Sequence, residues 1–544
     1  MASILASELS SFLLPSQINR VNPVEKMKYS YLVHHFLEHS AERFPDKIAL
    51  IHEDVRATYA QINARANQLT RLLLDRGIRH GDRVVVLLEN CLEYVVSYYG
   101  VLKAGAVAVP LSTDLKPDSL ARLLGEIEPK AIISSSRFER LLQATDLSPF
   151  RINAVILKGP NLTWSSAPFP LVPWEDVIRD EKSPNIDLPI QESALAGIIY
   201  TSGSTGKPKG AMLSHRNIVS NTHSICQYLH LNEKDIQMAV LPFYYVMGKS
   251  LLNTHVAAGG TVVINNKFAF PASVIKQMVE EHVTGFSGVP STYAYLLHRS
   301  PLAKYRDRLH SLRYCAQAGG HMSRAIKEQL RRVIPPHTKI YIMYGATEAS
   351  ARLSYLEPDK FEEKMDSIGK AIPGVTLTVR NQAGKELPPR EVGELVASGP
   401  NIMMGYWKDE AATDAVISEN GYHTGDESYQ DEHGYFYIVG RKDDLLKVGG
   451  HRINPVEIED TIMDSGRVIE VVVFGLPDHL LGNKLVAVMT PISNPPAPNE
   501  ILLHCAKKLP KYKVPSEIKF VARLPKSSSG KIDKKQLKYL IAHS

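Results

Sequence analysis

The stretch YTSGSTGKPKGAMLSH, residues 200–215, decides how the middle of the chain is expected to fold. It follows ALAGIIY, residues 194–200, an apolar run without helical periodicity, and this order predicts a buried strand that leads into a loop. Gly203, Gly206 and Gly210 allow successive N–H groups to turn into one concavity, a geometry that binds anions. The loop also carries hydroxyl and ammonium donors at Thr201, Ser202, Ser204, Thr205, Lys207 and Lys209. We therefore predict a phosphate-binding loop.

Two other kinds of loop share part of this pattern. A Walker A loop needs a Gly-Lys pair followed by Ser or Thr, but Gly206-Lys207 is followed by Pro208. A solvated Gly/Ser linker has the right composition, although linkers rarely follow a buried strand and rarely carry two lysines. The pattern therefore favours a binding loop of a different type.

The composition is that of an ordinary globular protein, with 44% apolar and 22% charged residues. A length of 544 residues is too great for one core, so roughly two to four domains are expected. The net charge of +6 is spread along the chain, which argues against a nucleic-acid partner but suits anionic small molecules.

The cysteines and the N-terminus indicate the compartment. Cys91, Cys226, Cys315 and Cys505 lie far apart, which suits neither a metal site nor a disulfide framework and favours a reducing compartment. The first residues, MASILASELSSFLLPSQ, lack the basic start of a signal peptide, and no apolar run is long enough to span a bilayer. We predict a cytoplasmic protein without an integral membrane segment.

Helical and strand patterns alternate from Tyr31 to about Asp180 and again after His215, which predicts parallel sheets with flanking helices. After about Gly369 the pattern changes to period two with turn signals, which predicts antiparallel strands. From Pro455 a compact α+β unit follows. We predict an α/β fold with a domain boundary near Gly440.

Several polar loops follow predicted strands, at the sheet edge where open α/β folds bind ligands. AQAGGHM follows a strand expected at 312–314, YGATEAS follows KIYIM, and YHTGD ends at Asp426. Each motif alone is more often structural than functional. Their combination and order are specific.

Five motifs in this order resemble the adenylate-forming (ANL) superfamily, which includes acyl-CoA synthetases, firefly luciferase and the adenylation domains of peptide synthetases. They are YTSGSTGKPKG at 200–210, YGATEAS at 344–350, YHTGD at 422–426, GRKDDLLKVGGHRI at 440–453 and PKSSSGKI at 525–532. The resemblance covers nearly the whole chain from about Tyr31. It implies a large N-terminal adenylate-forming domain (1–440) with mixed and parallel sheets and a distorted β-barrel-like part, a hinge (441–443) and a small mobile α+β domain (444–544).

The resemblance also implies two-step chemistry with ATP and Mg²⁺. A carboxylate attacks the α-phosphate of ATP to give an acyl-adenylate and pyrophosphate, and a thiol then displaces AMP. The residue types fit, because the nucleophile is already an anion and the site has only to bring anions together and stabilise charge on phosphorus.

Roles follow residue by residue from the resemblance. The pyrophosphate end of ATP is assigned to Thr201, Ser202, Gly203, Thr205, Gly206 and Lys209, with Ser204 in the same loop. The adenine is assigned to Gly319, Gly320, His321 and Tyr344, with Gly345 as a further nucleotide-binding residue. The remaining assignments are Thr347 to the α-phosphate, Glu348 to Mg²⁺, Asp426 and Arg441 to the ribose, and Lys531 to the carboxylate and α-phosphate.

Lys531 has a plain alternative, since Lys526, Lys534 and Lys535 surround it and a charge run is usually a solvated face. Only Lys531 follows Gly530 as the family motif requires, which favours the catalytic role. The resemblance places the hinge at Asp443, and Gly449 and Gly450 would leave room for a pantetheine arm after the C-terminal domain rotates. A simple hairpin turn is the alternative for these glycines.

The acyl pocket is expected at Tyr244, Tyr245, Val246, Met247, Val289 and Ala318. Relatives that activate α-amino acids carry an aspartate where Val246 stands in our alignment. Because an unpaired buried ammonium is costly, an acid without an α-amino group is favoured.

Coenzyme A is the expected thiol acceptor, and the phosphopantetheine of a carrier protein is the alternative. The basic stretches at 507–508 and 511–513 suit either. A luciferase-like oxidation has no supporting residue, and a non-enzymatic ATP-binding relic is disfavoured because Lys531, Glu348 and Asp426 are all present.

Overall fold

The structure is a computed structural model. It describes residues 31–159, 169–178, 183–201, 208–441, 444–448, 451–478, 482–527 and 531–542. It confirms the predicted α/β class, a large N-terminal domain of sheets and flanking helices followed by a small α+β domain.

The largest sheet is parallel in its interior and antiparallel at both edges. Its interior strands are buried along their whole length where helices cover both faces, as in Thr261–Ile264 and Tyr314–Gln317. In spatial order the strands are Lys370–Ala371, Ser354–Leu356, Lys339–Tyr344, Tyr314–Gln317, Gly285–Gly288, Ile236–Ala239, Thr261–Ile264, Ile48–His52 and Val55–Thr58.

A second sheet contains the strand that precedes the predicted phosphate loop. In spatial order its strands are Gly405–Tyr406, Lys209–Ser214, Leu195–Thr201, Val107–Pro110, Arg83–Leu87, Ala131–Ser135, Ala154–Lys158 and Leu171–Pro173. The sequence placed residues 209–214 in a loop, and this was wrong, because Lys209–Ser214 pairs antiparallel with Leu195–Thr201. Lys209–Ser214 is thus the return strand of a hairpin whose first strand is Leu195–Thr201.

The end of this stretch starts a helix. The Ser214 side chain accepts a hydrogen bond from the Asn217 N–H at 3.1 Å and caps the helix His215–Leu229. His215 is buried, and its Nδ1 accepts from the Val33 N–H at 3.1 Å. Burial lowers the pKa of His215 to about 3, so the fold requires its neutral form.

The antiparallel part predicted after residue 369 is a curled sheet. Its strands are Thr376–Arg380, Gly393–Ser398, Gly421–Gln430, Ile417–Ser418 and Phe436–Arg441. Register shifts beside Glu394 and Glu427 bend it. Asp426 was expected in a loop, but it lies within the strand Gly421–Gln430, where ladder hydrogen bonds fix its backbone.

The C-terminal domain begins with the hairpin Leu446–Val448 and His451–Ile453. Its sheet consists of Val468–Asp478, Gly482–Pro491 and Glu517–Phe520. The helices Pro455–Met463, Pro498–Lys508 and Lys534–Ala542 complete it.

The helices of the N-terminal domain cover its sheets. They are His35–Arg43, Tyr59–Asp75, Leu92–Lys103, Pro117–Ile127, Glu139–Ala144, Trp174–Val177, His215–Leu229, Val246–Ala258, Pro271–Glu280, Pro290–Arg299, Arg324–Val333 and Glu410–Asp414. Short 3₁₀ turns occur at Ser136–Phe138, Leu302–Arg308, Thr347–Ala349, Pro358–Lys360 and Lys511–Lys513. Across the described ranges, no helix has both the length and the apolar character needed to cross a membrane.

All four cysteines are free and buried. Cys91, Cys226 and Cys315 lie in the N-terminal domain, and Cys505 lies in the C-terminal domain. Burial raises the pKa of Cys91 and Cys315 to about 12 and that of Cys505 to about 11, and it raises the pKa of Cys226 further. The thiols are therefore protonated and shielded.

Candidate active site

A cavity of about 530 Å³, partly open to solvent, lies where the C-terminal domain meets the N-terminal domain. Its walls come from the 241–247 segment, from Val289, from the motifs at 318–319 and 345–347, and from residues 351–352. Lys531 of the C-terminal domain completes the lining. The structure thus brings three of the sequence motifs together with the lysine that the resemblance singles out.

The parallel sheet explains this convergence. Strands Gly285–Gly288, Tyr314–Gln317 and Lys339–Tyr344 are neighbours, and Gln317 is in register with both Gly288 and Ile342. The loops that follow these strands therefore leave the same edge of the sheet. The second of these strands begins at Tyr314 and not at residue 312, where the sequence predicted its start.

Two glycines are needed for local geometry. Gly319 has φ of 85°, in the left-handed region that favours glycine, and a Cβ there would lie 3.2 Å from Val289 Cγ1. A Cβ on Gly345 would lie only 2.0 Å from the carbonyl oxygen of Ala351. The YGATE turn can therefore pack against residue 351 only if position 345 is glycine.

Lys531 retains accessible surface because it projects into the cavity, yet protein atoms surround its amine. This desolvation lowers its pKa from the ordinary lysine value, and the nearby Arg441 adds to the effect. Glu348 and Asp426 act in the opposite direction. The strand-like bridge between Lys526 and Ile532 supports the chain on both sides of the loop.

Asp426 is the centre of a partly buried polar group. Tyr344 donates its hydroxyl to Asp426 at 2.5 Å, and Arg441 Nε lies 3.2 Å from the same carboxylate. Asp426 and Arg441 are partners in the antiparallel ladder, which explains why residues from two different motifs meet. Burial raises the pKa of Asp426 although Arg441 and Tyr344 oppose the shift. Two predicted ribose residues and one predicted adenine residue are therefore adjacent.

Glu348 lies in the 3₁₀ turn Thr347–Ala349, half-buried. The Tyr406 hydroxyl donates to its Oε1 at 2.7 Å, and Lys209 Nζ lies 5.0 Å from the centre of the Tyr406 ring. Tyr406 thus links Lys209, in the strand that follows the predicted phosphate loop, to the predicted metal carboxylate. A carboxylate oriented in this way is a ligand that suits a hard cation such as Mg²⁺.

Some predicted residues are placed differently from expectation. His321 donates its Nε2–H to the Asp460 carboxylate at 2.9 Å across the domain boundary, so this ring nitrogen is engaged away from the cavity. The Gly320 carbonyl accepts from Gln317 Nε2 at 2.7 Å. Tyr244 does not line the cavity, because its ring packs beside Tyr245 in the core.

The cavity is lined by five further residues that were predicted for the acyl pocket: Tyr245, Val246, Met247, Val289 and Ala318. Thr201 is the last residue of its strand, and its hydroxyl lies 3.4 Å from the Lys209 carbonyl. Outside the described residues lie Ser202, Gly203, Ser204, Thr205, Gly206, Asp443, Gly449 and Gly450.

A second contact also crosses the domain boundary. Lys526 pairs with Glu470 within the C-terminal domain, and its Nζ lies 4.7 Å from the centre of the Tyr295 ring of the N-terminal domain. Together with the contact between His321 and Asp460, this interaction helps hold the C-terminal domain where Lys531 enters the cavity.

Two residues of the site were missed from the sequence. Tyr406 carries no local signal, because Glu348 is 58 positions away in the chain. Arg352 lies just beyond the YGATEAS motif, lines the cavity and is 2% exposed. From the sequence alone, a charged residue two positions after such a motif is expected to be exposed to solvent.

Two protein-family models match the chain. The model for AMP-binding enzymes matches residues 37–407, and the model for the AMP-binding enzyme C-terminal domain matches residues 457–531. The chain is 31% identical over 536 residues to the long-chain-fatty-acid–CoA ligase of Bacillus subtilis (strain 168), covering 92% of this chain and 93% of the relative. It is 30% identical over 498 residues to the 2-succinylbenzoate–CoA ligase of Bacillus mycoides (strain KBAB4), covering 91% and 96%.

Solved structures agree with the family models. The anthranilate CoA ligase AuaEII in complex with anthranoyl-AMP has a TM-score of 0.86 and 26% identity, covering 96% of this chain and all of that chain. The o-succinylbenzoate CoA synthetase MenE of Bacillus subtilis, in complex with ATP and magnesium, has a TM-score of 0.77 and 28% identity, covering 92% and 99%. The chain belongs to the AMP-binding enzyme family of the adenylate-forming superfamily.

Proposed function

We propose that the protein joins a small-molecule carboxylic acid to coenzyme A in two steps, using ATP and Mg²⁺. The acid first forms an acyl-adenylate with release of pyrophosphate, and coenzyme A then displaces AMP. The observation that carries the proposal is the position of Lys531, which enters from the C-terminal domain a cavity lined by Gly319, Thr347 and the acyl-pocket residues.

Lys531 and Thr347 act on the reacting groups. The Lys531 ammonium attracts both the substrate carboxylate and the α-phosphate, which would otherwise repel each other. Charge that develops on the α-phosphate oxygens is stabilised by this amine and by the Thr347 hydroxyl. The lowered pKa of Lys531 is restored toward its ordinary value when these anions arrive, so substrate binding keeps the amine charged.

The nucleoside is held by the polar group around Asp426. Asp426 accepts from the ribose hydroxyls, while Tyr344 and Arg441 fix the orientation of its carboxylate. Glu348 would hold Mg²⁺, with Tyr406 positioning its carboxylate. Lys209, which lies over the Tyr406 ring, would meet the pyrophosphate end of ATP. The bound cation supplies charge neutralisation for the phosphates.

The acid is proposed to lack an α-amino group. Val246 begins the helix Val246–Ala258 and presents an apolar side chain to the cavity. In the described part of the cavity lining there is no carboxylate that could pair with a substrate ammonium. An α-amino acid would therefore bury an unpaired charge.

The proposed thiol acceptor is coenzyme A, and the phosphopantetheine of a carrier protein is the alternative that the acceptor test distinguishes. Because Lys531 occupies the cavity, thiol access requires the C-terminal domain to rotate, with the proposed hinge at 441–443. The free, buried cysteines fit a reducing compartment, so we also propose a cytoplasmic location.

The test measures pyrophosphate and the nucleotide product with MgATP and a panel of acids. AMP is expected, and formation depends on the acid and on Mg²⁺. ADP with orthophosphate would instead indicate an acyl-phosphate mechanism. Coenzyme A and a phosphopantetheine-loaded carrier protein are then added to separate samples that contain the acyl-adenylate, and thioester formation identifies the acceptor.

A further inference from the structure

A second, smaller cavity lies next to the first. Val246 lines both cavities, and Ser350 of the second is adjacent in sequence to Ala351 and Arg352 of the first. The wall between the cavities is thus formed by the start of one helix and one short turn. An acyl chain that passes Val246 would enter the second cavity with its end remote from Lys531.

The second cavity contains a buried lysine. Lys249 is 4% exposed, and its Nζ donates to the Tyr94 hydroxyl at 2.5 Å. Nζ also lies 3.7 Å from the centre of the Tyr98 ring and 4.3 Å from that of Tyr94. These partners are neutral, and burial lowers the pKa of Lys249 well below its ordinary value. The amine has donors to spare and no opposite charge beside it in the described structure.

Other buried lysines are satisfied within the protein. Lys103 is fully buried and pairs with Glu38. Lys327 is 3% exposed and donates to the Met365 carbonyl at 2.7 Å, with Asp366 and Asp460 near enough to raise its pKa in part. Lys249 differs because the lining of its cavity contains no aspartate or glutamate among the described residues.

The first cavity adds a second buried cation. Arg352 donates to the Ala351 carbonyl at 3.2 Å and toward the Met343 sulfur at 3.4 Å, and both acceptors are uncharged. The described lining of the two cavities therefore holds Lys249, Arg352 and Lys531 but no carboxylate. Only Lys531 is used by the proposed chemistry, so Lys249 and Arg352 are buried basic groups without an acidic partner in the described lining.

Building on the proposed function, we propose that the substrate is a dicarboxylic acid and that Lys249 binds its second carboxylate, remote from the one that is adenylated. A carboxylate would give the Lys249 amine the opposite charge that its surroundings lack, and Arg352 adds positive potential along the path. A terminal methyl group would leave the amine unpaired, and a terminal amide would supply an acceptor without charge.

The experiment uses matched acids with the full-length protein. Straight-chain and benzoate-based diacids are compared with the monoacid of the same carbon skeleton and with its terminal amide, by kcat/KM for pyrophosphate release. The variant is Lys249→Met, which keeps the length of the side chain and removes the amine. Lys327→Met is the matched control, because it removes an equally buried amine that does not line either cavity.

For at least one skeleton, the wild-type protein is expected to prefer the diacid to both analogues. Lys249→Met should reduce that preference by on the order of 10²-fold, because truncating one member of a buried charge pair has an effect of this size. Lys327→Met should leave the preference unchanged. Equal use of diacid and amide, or a preference that survives in Lys249→Met, would overturn the proposal.

Calorimetric binding of the same acids, without ATP, separates this inference from the proposed function. Tighter binding of a diacid that is lost in Lys249→Met supports the inference even if no pyrophosphate forms, in which case the proposed function fails. Adenylation of acids without any preference for a second carboxylate supports the proposed function and refutes the role of Lys249. If no diacid binds more tightly than its matched monoacid and amide, the role of Lys249 is refuted as well.

Discussion

Replacing Gly345 by alanine should disable adenylation through the backbone rather than through a lost functional group. The new Cβ would lie 2.0 Å from the Ala351 carbonyl oxygen and 2.8 Å from Arg352 Cα. The neighbouring turn has little freedom to retreat, because Ser350 and Ala351 already have positive φ of 57° and 123°. The wall of the first cavity must therefore move.

The size of the effect follows from these distances. An ordinary contact begins near 3.4 Å, so the carbonyl has to shift by more than about 1 Å. Overpacking of this kind costs about 1–3 kcal/mol, and the shift strains the 2.9 Å hydrogen bond from the Leu353 N–H to the Tyr344 carbonyl, worth about 1 kcal/mol. We expect a loss of about 2–4 kcal/mol in stability. A misplacement of about 1 Å beside the reacting groups should lower the adenylation rate by about 10²-fold.

The assay combines pyrophosphate-release kinetics with urea-induced unfolding. Gly125→Ala is the control, since a Cβ at this helical position would meet only a Phe150 ring atom, at 3.9 Å. Replacing a glycine inside a helix should leave activity unchanged and raise stability by up to about 1 kcal/mol. Wild-type rate and stability in Gly345→Ala, or equal damage in both variants, would refute the close-packing argument.

Three further predictions concern single side chains. Lys531→Ala should slow acyl-adenylate formation by on the order of 10²–10³-fold and still convert supplied acyl-adenylate to thioester, as measured by single-turnover kinetics of each step. Tyr406→Phe keeps the ring and removes the hydroxyl bound to Glu348, so the Mg²⁺ concentration for half-maximal rate should rise by about 10-fold or more. His215 has a depressed folded pKa, so its stabilisation is present above about pH 6.5 and is lost as pH falls toward 3. Between pH 7 and 5, the free energy of unfolding of His215→Asn should therefore fall by about 2 kcal/mol less than that of the wild type, at about 1.4 kcal/mol per pH unit below 6.5. The control variant His230→Asn, at an exposed position, should follow the wild type.

Each of these predictions has an outcome that contradicts it. Equal loss of both half-reactions in Lys531→Ala would mean that the C-terminal loop forms one fixed site. An unchanged Mg²⁺ requirement in Tyr406→Phe would remove Tyr406 from the metal site. If the free energies of unfolding of the wild type and His215→Asn, measured with urea, fall in parallel as the pH is lowered, other groups control the stability in acid.

The sequence predicted the sheet edge well because the relevant signals are local. An apolar run followed by glycines and hydroxyl residues marks the end of a buried strand, and parallel strands place such ends together. The boundaries inside the motifs were less predictable. Residues 209–214 and Asp426 looked like loop because polar and glycine residues interrupt their strands, yet pairing with a neighbouring strand overrides these local preferences.

The polar partners of the site could not be predicted in the same way. Asp426 meets Tyr344 across 82 positions, and Lys249 meets Tyr94 across 155. Such pairs depend on which helix faces pack together, and that information is not contained in any short window of sequence. The expectation that His321 lines the adenine came from its motif alone, whereas its contact with Asp460 requires the docked C-terminal domain.

The reactivity of the four buried cysteines reports local opening of the structure. A protonated, shielded thiol reacts with a solvent reagent only when the surrounding structure opens, so its labelling rate measures the free energy of that opening. Cys505 senses the C-terminal domain, while Cys91, Cys226 and Cys315 sense separate parts of the large domain. Mass spectrometry of the labelled peptides therefore gives the order in which the two domains loosen, in the unaltered protein.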